Sequence, residues 1–433
     1  IALAEAVARA LPPPRASVNV FKNFGTAQVK WGDWEVEFVG ARRESYRAES
    51  RKPLVEDGTL ADDQRRRDFT INALALSLNA ADFGDLLDPF GGVGDLTTRA
   101  IRTPLDPNVT FSDDPLRMMR AVRFATQLNF DIEPDTFEAL GTNRERLDIV
   151  SAERVITELN KIILSPRPSY GFKLLHQARL LERIFPELTA LAGVEHVEGR
   201  GHKDNFYHTL QVLDNLVERD PGADLWLRWA ALLHDVAKPA TKRYVPKVGW
   251  TFHGHEDLGA RWVPRIFRRL KLPLDDRMRF VCKLVRLHLR PIALAKEEVT
   301  DAAIRRLLVD AGDDVDALMA LCRADITSKN PNKVRRHLKN FDLVERRLCE
   351  VEESDQLRNF QPVLTGEHVM TTFDLPPSKL VGEIKNEIRE AILEGEIKNT
   401  FAEGYARLLD IGRRHALTVH RDLRTTAPPP EDN

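Results

Sequence analysis

The sequence predicts an α+β protein in which a small α/β head precedes a long, mostly α-helical neck, body and tail. A predicted helix from Ala2 to Leu11 is followed by residues 25–39, GTAQVKWGDWEVEFV, where apolar and polar side chains alternate on both sides of Gly32 and Asp33. This alternation is typical of a β-hairpin. From Phe69 onward the apolar residues recur with helical periodicity, apart from short predicted loops at 87–96 and 103–110.

Length and charge set broad limits on function. The chain has 433 residues with 64 basic and 66 acidic side chains, a net charge of -2. Any surface that binds nucleic acid must therefore be a local patch. The three cysteines, Cys282, Cys322 and Cys349, have no disulfide-framework or zinc-knuckle spacing, so we expect a reducing compartment, the cytoplasm. Without a run of about 18 apolar residues, the sequence predicts no contact with a membrane.

Two acidic residues lie on the second strand of the predicted hairpin. Glu35 and Glu37 share one face of WEVEFV because strand side chains alternate. They could belong to a solvated sheet face, or one could serve as a metal-binding carboxylate. The strand alone leaves both interpretations open.

A charged cluster marks the start of the predicted helix in DDQRRRDFTINALALSL (62–78). Its polar members are Arg66, Arg67, Asp68 and Asn72. Guanidinium donors beside a carboxylate suit a triphosphate and a ribose hydroxyl. The alternative is an ordinary charged first turn that Asp68 caps.

The segment DDPLRMMRAVRF (113–124) predicts a helix with two different sides. Its arginines fan over one side: Arg117, Arg120 and Arg123. The other side gathers residues expected in the core: Met118, Met119 and Val122. Asp114 and Arg117, at the start of this helix, offer a carboxylate acceptor beside guanidinium donors. The alternative is that Asp114 only caps the helix and the arginines are solvated.

A histidine-rich stretch begins near Gly199. Its candidate metal ligands are His208, His234, Asp235, His255, His288 and Asp325. The doublet His234-Asp235 ends an apolar helical run, and a shielded carboxylate is costly unless it is paired or metal-bound. Mixed imidazole and carboxylate ligands suit Mn²⁺, Ni²⁺ or Zn²⁺. The alternative is a hydrogen-bond network without a metal.

Five ordered blocks resemble a known family. They are VEFVGARRESY (36–46), RRDFTINALA (66–75), DPFGGVGDL (88–96), DDPLRMMRAVRFA (113–125) and SAERVITELNKII (151–163). They resemble the class II tRNA nucleotidyltransferase and bacterial poly(A) polymerase family, and within it CCA-adding enzymes with a fused HD domain. The resemblance implies a nucleotidyltransferase head at 1–85, a helical neck and the start of the RNA-binding body at 86–195, an all-α HD phosphohydrolase domain at 196–330, and a helical tail at 331–433 whose last ten or so residues are disordered.

The resemblance also implies roles for single residues. In the head, Glu37 matches an acidic position that helps to hold Mg²⁺. Asp114 and Arg117 match the pair that reads the incoming base, and Arg120 and Arg123 match positions that contact the nucleotide. In the HD superfamily the core ligands match His208, His234, Asp235 and Asp325, and the additional ligands of two-metal members match His255 and His288. The implied partners are tRNA, CTP and ATP.

The family's first two metal-binding carboxylates lie upstream of the position that matches Ile1, in a Gly-Gly-x-x-Arg-Asp … Asp-x-Asp segment. We therefore expect that an upstream segment has been lost from a chain that opens in mid-helix. Two-metal phosphoryl transfer needs both ions. The chain as written is thus expected to be inactive in nucleotide addition.

The predicted function is template-free addition of CCA to tRNA 3′ ends from CTP and ATP, with a second, phosphohydrolase activity in the HD domain. Same-family alternatives are a CC-adding enzyme, an A-adding enzyme or a poly(A) polymerase. Another alternative is an HD metallohydrolase with an inactive RNA-binding head. Two basic stretches, 261–291 and 332–340, could bind tRNA phosphates or form the wet sides of amphipathic helices. The sequence does not predict the oligomeric state.

Overall fold

A computed structural model describes residues 1–21, 25–47, 50–197, 199–295, 300–328, 330–355 and 361–425. The chain forms two compact units, Ile1–Thr189 with Arg269–Leu272, and Ala190–Arg268 with Pro273–Asn433. The finer predicted domain boundaries stay predictions. Most of the tail predicted to be disordered lies outside the described residues.

The first unit opens with a helix on a small antiparallel sheet. Its elements up to residue 65 are α1 (Ala2–Ala10), β1 (Ser17–Phe21), β2 (Thr26–Trp31), β3 (Trp34–Val39), β4 (Arg42–Arg47), β5 (Ser50–Asp57) and α2 (Leu60–Arg65). β1, β2 and β3 pair in that order, and Ala4 of α1 packs on Ala27 and Val29. Gly32 turns between β2 and β3 at φ 57°, a conformation that favours glycine. The predicted helix and hairpin are confirmed.

The remainder of this unit is mostly helical. Its elements are β6 (Ala75–Leu76), β7 (Leu86–Leu87), α3 (Gly92–Thr98), β8 (Ala100–Ile101), α4 (Pro107–Asp113), α5 (Leu116–Leu128), β9 (Asp131–Ile132), α6 (Pro134–Thr142), α7 (Ala152–Ile163), α8 (Pro168–Gln177), α9 (Leu181–Ile184) and α10 (Pro186–Thr189). The predicted loops at 87–96 and 103–110 are confirmed only over 88–91 and 103–106, because α3 and α4 begin inside them. The helix predicted to follow the charged cluster within 62–78 is wrong, since the chain there forms a 3-10 turn, Thr70–Asn72, and then β6. Side chains start both helices: the Asp88 carboxylate accepts from Gly92 N–H at 2.7 Å, and Asp106 caps α4 just before Pro107.

Helix α5 lies at the centre of this unit and packs against α7 and α8. Met118, Met119 and Val122 are fully buried, which confirms the predicted core. Arg117 and Arg123 are buried as well, so the predicted alternative of a solvated arginine face is wrong for these two. Charged groups withdrawn from water need partners inside the protein. The contacts of these arginines therefore decide what α5 can do.

The segment 66–72 is fixed against α3. Thr70 Oγ1 donates to Asp95 Oδ2 at 2.6 Å, and Asp95 also accepts from Arg102 Nε at 3.2 Å. A Cβ on Gly92 would lie 2.5 Å from the Thr70 carbonyl oxygen, so this close approach requires glycine. The charged cluster predicted from the sequence is thereby attached to the helical part of the unit.

The second unit is mainly helical. Its elements are β10 (His196–Val197), β11 (Arg200–Gly201), α11 (Asn205–Arg219), α12 (Leu225–Leu233), α13 (Lys238–Thr241), β12 (Arg243–Val245), β13 (Gly249–Thr251), α14 (His255–Arg269), α15 (Asp276–Leu287), α16 (Leu289–Leu294), α17 (Asp301–Ala311), α18 (Val315–Ala324), α19 (Pro331–Asp355), α20 (Gly366–Phe373), α21 (Lys379–Glu394) and α22 (Phe401–Arg414). The apolar helix α12 is buried between α11, α15 and α18. Two short hairpins, β10–β11 and β12–β13, interrupt the region predicted to be all-α. Among the described residues, no helix has both the length and the apolar character needed to cross a membrane.

The crossing of α8 over α5 gives a test of the first unit's packing. A Cβ on Gly171 would lie 2.5 Å from Thr126 Oγ1 and 2.6 Å from Ile162 Cγ2. We expect Gly171→Ala to lower the free energy of unfolding by about 1–3 kcal/mol, because the neighbours must move apart. Urea denaturation measures this change. The control is Gly141→Ala in α6, where the added Cβ would meet only the Ala178 carbonyl oxygen at 3.7 Å; equal stability of the two variants would contradict the close packing.

Candidate functional site

Asp63, in α2, holds the two arginines of the charged cluster. Its Oδ1 accepts from Arg66 Nε at 2.9 Å, and its Oδ2 accepts from Arg67 Nη2 at 2.7 Å. Burial by itself would raise the pKa of Asp63, but the hydrogen bonds from Arg67 and Arg66 outweigh it and hold the pKa below its usual value. One buried carboxylate thus orients two guanidinium groups. The sequence analysis missed Asp63, although its spacing of three and four residues from the arginines is typical of helical ion pairs.

Asp68 joins the cluster to α5. Its Oδ1 accepts from the backbone N–H of Phe69 and from Asn72 Nδ2, both at 3.0 Å. Its Oδ2 accepts from Arg120 Nε at 2.7 Å. Asp68 thus contacts both Asn72 and Arg120, which is 52 residues further along the chain. All three residues were predicted from the sequence to bind the nucleotide.

Arg117 connects the predicted base-reading pair to the same cluster. Its Nη2 donates to the Arg66 carbonyl oxygen at 2.6 Å, and its Nη1 donates to the Thr110 carbonyl oxygen at 3.4 Å. A guanidinium carries five N–H donors, so these two bonds leave others for a ligand. Asp114 Oδ1 accepts from Leu116 N–H at 3.2 Å, so Asp114 also caps the start of α5. Both interpretations of Asp114 are compatible, because one carboxylate can serve as cap and ligand.

The structure directs Arg123 elsewhere. Its Nε lies 3.0 Å from Glu158 Oε2 on α7, both side chains are buried, and the contact is an ion pair without hydrogen-bond geometry. Its guanidinium carbon also lies 4.0 Å from the centre of the Phe124 ring. Burial lowers the pKa of Arg123 and Glu158 opposes that shift. Arg123 thus links α5 to α7, and its predicted contact with a nucleotide stays a prediction.

Glu37 also lies apart from the cluster. It is exposed on β3, opposite Gln28 of β2. Its neighbour on the same face, Glu35, pairs with Lys30. Within the described residues, Glu37 belongs to no group of three potential metal ligands. The metal role of Glu37 stays a prediction.

The histidine-rich stretch folds into one buried cluster at helix ends. His208 lies in the first turn of α11, and His255 is the first residue of α14. The others follow the C-termini of helices: His234 and Asp235 after α12, His288 after α15, and Asp325 after α18. Helix C-termini carry partial negative charge and favour a cation nearby. All the residues predicted as ligands are brought together.

The ligand atoms form two adjacent groups, each within 4.8 Å. One group is His208, His234 and Asp325; the other is Asp235, His255 and His288. His208 Nε2 lies 2.9 Å from Asp325 Oδ1, and His255 Nε2 lies 3.2 Å from Asp235 Oδ1. The Nε2 atoms of His255 and His288 are 3.4 Å apart. Such spacing allows one cation in each group.

Backbone carbonyls fix the imidazole tautomers. The Nδ1 atoms of His234, His255 and His288 each lie 2.7–2.8 Å from a carbonyl oxygen, those of Ala231, Phe252 and Val285. A carbonyl can only accept, so each Nδ1 carries the proton and each Nε2 of a neutral ring presents a lone pair to the cluster. His234 Nε2 is buried without a hydrogen bond inside the described part of the chain, although Asp235 Oδ2 lies 3.2 Å away. Lone pairs that face a carboxylate fit a metal ion.

The electrostatics lead to the same conclusion. Burial by itself would raise the pKa of Asp235, but the charges of His234 and Lys238 outweigh it and hold the pKa well below its usual value. Burial lowers the pKa of His288 to about 4, so this imidazole is neutral at pH 7. The cluster therefore combines a buried negative charge with a neutral donor, as metal sites do.

Two lysines and a threonine around the cluster were missed by the sequence analysis. Lys238 Nζ lies 2.6 Å from Asp235 Oδ2, and Lys203 Nζ lies 2.8 Å from His208 Nδ1. Thr327 Oγ1 lies 3.0 Å from the same nitrogen. The spacing of three residues between Asp235 and Lys238 was a usable signal. Lys203 and Thr327 meet across 124 residues, which no local pattern indicates.

The family models that match the chain define a class of protein. The "Poly A polymerase head domain" matches residues 2–102, the "Probable RNA and SrmB-binding site of polymerase A" matches 129–191, and the "HD domain" matches 205–326. A nucleotidyltransferase head, an RNA-binding segment and an HD domain thus follow one another. Domains of both enzymatic kinds generally use divalent metal ions.

Curated relatives narrow the class. An A-adding tRNA nucleotidyltransferase of Deinococcus radiodurans is 37% identical over 346 residues, 78% of this chain and 76% of the relative. A CC-adding tRNA nucleotidyltransferase of Thermus thermophilus is 34% identical over 353 residues, 79% of this chain and 75% of the relative. This chain belongs to the tRNA nucleotidyltransferase and poly(A) polymerase family, as its sequence predicted.

Solved structures share the fold. A Bacillus stearothermophilus CCA-adding enzyme in complex with CTP aligns over 96% of this chain and 87% of its own, with a TM-score of 0.62 at 24% identity. A tRNA nucleotidyltransferase complexed with a primer tRNA and an incoming ATP analogue aligns over 79% of this chain and 87% of its own, with a TM-score of 0.53 at 25% identity. The predicted fold class, an α/β nucleotidyltransferase head followed by a helical remainder with an HD domain, is confirmed.

Proposed function

We propose that this protein adds CCA to tRNA 3′ ends from CTP and ATP, with α5 selecting the base. The observation that supports the proposal is the 2.6 Å bond from Arg117 Nη2 to the Arg66 carbonyl oxygen, which joins α5 to the backbone of the charged cluster. The relatives include A-adding, CC-adding and multifunctional CCA proteins, so each of these products has a precedent. The cytoplasm stays the proposed location.

Asp114 and Arg117 provide the chemistry for the two bases. Asp114 lies two residues before α5, and Arg117 is the second residue of that helix. The backbone N–H of Arg117 donates to the Asp114 carbonyl oxygen at 2.9 Å. The carboxylate accepts from the exocyclic amine of cytosine or adenine, while the guanidinium donates to the adjacent ring nitrogen. Uracil and guanine place a carbonyl opposite the carboxylate, a mismatch of about 1–3 kcal/mol for an unpaired buried acceptor. A single pair can thus accept both CTP and ATP and reject UTP and GTP.

Arg66 and Arg67 would bind the triphosphate, and Asp68 with Asn72 the ribose. Asp63 keeps both guanidinium groups oriented before the nucleotide arrives, which reduces the entropy lost on binding. Arg120 holds Asp68 in place from α5. Mg²⁺ in such a head would activate the attacking 3′-hydroxyl and neutralise pyrophosphate. Among the described residues Glu37 belongs to no group of three potential metal ligands, so the described head residues do not by themselves form a Mg²⁺ site.

The products of addition test this proposal. Full-length protein with Mg²⁺ would be given tRNAs that end at the discriminator base, at C or at CC, with CTP alone, ATP alone or both. Three added nucleotides that require both substrates are expected. Addition of A only to the CC end would instead define an A-adding enzyme, and addition of CC only a CC-adding enzyme. No addition to any of the three tRNAs would contradict nucleotidyl transfer and leave the HD domain as the active part.

The HD cluster favours a second activity, metal-dependent hydrolysis of a phosphate ester at an RNA 3′ end. Its two ligand groups would hold Mn²⁺, Ni²⁺ or Zn²⁺, which polarise a phosphate and lower the pKa of bound water. Lys203 and Lys238 are the cations near the cluster that could hold phosphate oxygens. Hydrolysis adds water across the P–O bond and yields a 3′-hydroxyl and inorganic phosphate. This reaction would prepare an RNA end for nucleotide addition.

Hydrolysis of p-nitrophenyl phosphate tests the second activity. We expect turnover by full-length protein loaded with Mn²⁺ or Ni²⁺ and a loss of at least about a hundredfold in His234→Ala, because a buried ligand is removed. The matched control is His253→Ala, an exposed histidine two residues from His255 that belongs to neither ligand group. Equal activity of the His234→Ala and His253→Ala variants would contradict a catalytic metal in this cluster.

A further inference from the structure

An open groove of about 520 Å³ runs along the first turns of α19. It is lined by apolar Val334 and Leu338, by the cations Arg335 and Lys339, and by Ser328 before the helix. Asp342 also lines it, but Arg323 Nη2 pairs with that carboxylate at 2.7 Å. The groove therefore offers apolar surface together with positive charge.

The cations of this part of α19 lack acidic partners. Lys333, Arg335, Arg336 and Lys339 are exposed, and in the part of the chain that the structure describes none of them makes an ion pair or a side-chain hydrogen bond. Further along the same helix the arrangement differs, since Arg347 pairs with Glu350 at 2.7 Å. Unpaired cations between 333 and 339 form a local positive patch on a chain whose net charge is -2. Such a patch is what an acidic polymer recognises.

The groove begins beside the HD cluster. Thr327 Oγ1 lies 3.0 Å from His208 Nδ1, and the next residue, Ser328, lines the groove. Adjacent Cα atoms are about 3.8 Å apart, so the groove opens within a few ångströms of the shell around His208. Arg323 lies two residues before the predicted ligand Asp325 and pairs with Asp342 of α19. This ion pair holds the start of the groove close to the HD cluster.

We propose that the groove binds the backbone of a single RNA strand whose 3′ end lies in the HD cluster, so that the HD domain acts on polynucleotide ends in preference to free mononucleotides. This inference rests on the phosphohydrolase activity proposed above. Unpaired cations contact the phosphates, and the apolar floor accommodates sugars and bases. From Lys333 to Lys339 the helix rises about 9 Å, room for roughly two or three phosphates.

The test compares a small substrate with an RNA substrate. Full-length protein loaded with Mn²⁺ or Ni²⁺ would hydrolyse p-nitrophenyl phosphate and a short single-stranded RNA that ends in a 3′-phosphate. In the double variant Arg335→Ser and Lys339→Ser we expect the KM for RNA to rise about tenfold, and the dependence of log KM on log salt to weaken by about 1.4, since two phosphate contacts are lost. The KM for p-nitrophenyl phosphate should stay within about twofold, because a substrate without a polymer backbone does not depend on those contacts.

Two controls separate the groove from charge in general. Arg346→Ser removes an exposed cation of the same helix, about 16 Å beyond Arg335, and should leave the KM for RNA unchanged. The conservative double variant Arg335→Lys and Lys339→Arg keeps both positive charges and should keep the KM for RNA within about twofold of the wild type.

The outcomes distinguish the two proposals. The groove proposal is overturned if the double variant leaves the KM for RNA unchanged, or if Arg346→Ser raises that KM equally. In either case, hydrolysis of p-nitrophenyl phosphate by the wild type would still support the phosphohydrolase activity. Equal efficiency of the wild type on a 3′-mononucleotide and on the RNA overturns it as well. A wild type that hydrolyses neither substrate overturns both proposals.

Discussion

A carboxylate removed from water needs a positive partner, and this requirement organises both units of the chain. In the first unit the partners of Asp63 and Asp68 are guanidinium groups. Asp63 binds Arg66 and Arg67, and Asp68 binds Arg120. The carboxylates are buried although Arg67 and Arg120 are partly exposed, so removal of a guanidinium would leave a buried charge without its partner and these contacts favour one arrangement of α5 and the charged cluster. The groups that would bind a nucleotide are thus fixed by the same contacts that fix the fold.

In the second unit the same requirement is met differently. Asp235 is almost completely buried, and beyond Lys238 its neighbours are imidazoles whose Nδ1 protons are committed to carbonyl oxygens. When His234 is protonated, its charge and that of Lys238 hold the pKa of Asp235 low. When the rings are neutral, their Nε2 lone pairs face the carboxylate. A divalent cation satisfies the carboxylate and the imidazoles together. The chemistry of the donor set thus fits a metal ion, with His208, His234 and Asp325 in one group and Asp235, His255 and His288 in the other.

The parts of the molecule that the sequence predicted are those that local patterns encode. Alternation around Gly32 predicts the hairpin, and helical periodicity predicts Met118, Met119 and Val122 as core. The six predicted metal ligands came from the resemblance to the HD superfamily, and the structure brings them together in two adjacent groups. Where a contact joins distant segments, the sequence had no signal. Examples are the pairing of Arg123 with Glu158 and the approach of Thr327 to His208.

The wrong predictions have a local cause as well. The loops predicted at 87–96 and 103–110 contain Gly and Pro, which usually interrupt helices. Here Gly92 is the first residue of α3, where it bonds Asp88 and lies close to a backbone oxygen. Pro107 is the first residue of α4 after the cap Asp106, a position at which the missing N–H of proline is not needed. Gly92 and Pro107 therefore mark where α3 and α4 begin, although the prediction took such residues as a sign that no helix forms there.

Metal affinity of an Asp235→Asn variant tests the central claim most directly. The substitution removes the buried charge and preserves the shape of the side chain. Titration calorimetry with Mn²⁺ or Ni²⁺ on chelator-treated, full-length protein should show tight binding to the wild type and binding at least about a hundredfold weaker to Asp235→Asn. Equal affinity of the two proteins, or a wild type that binds neither ion, would contradict a metal centre organised around Asp235.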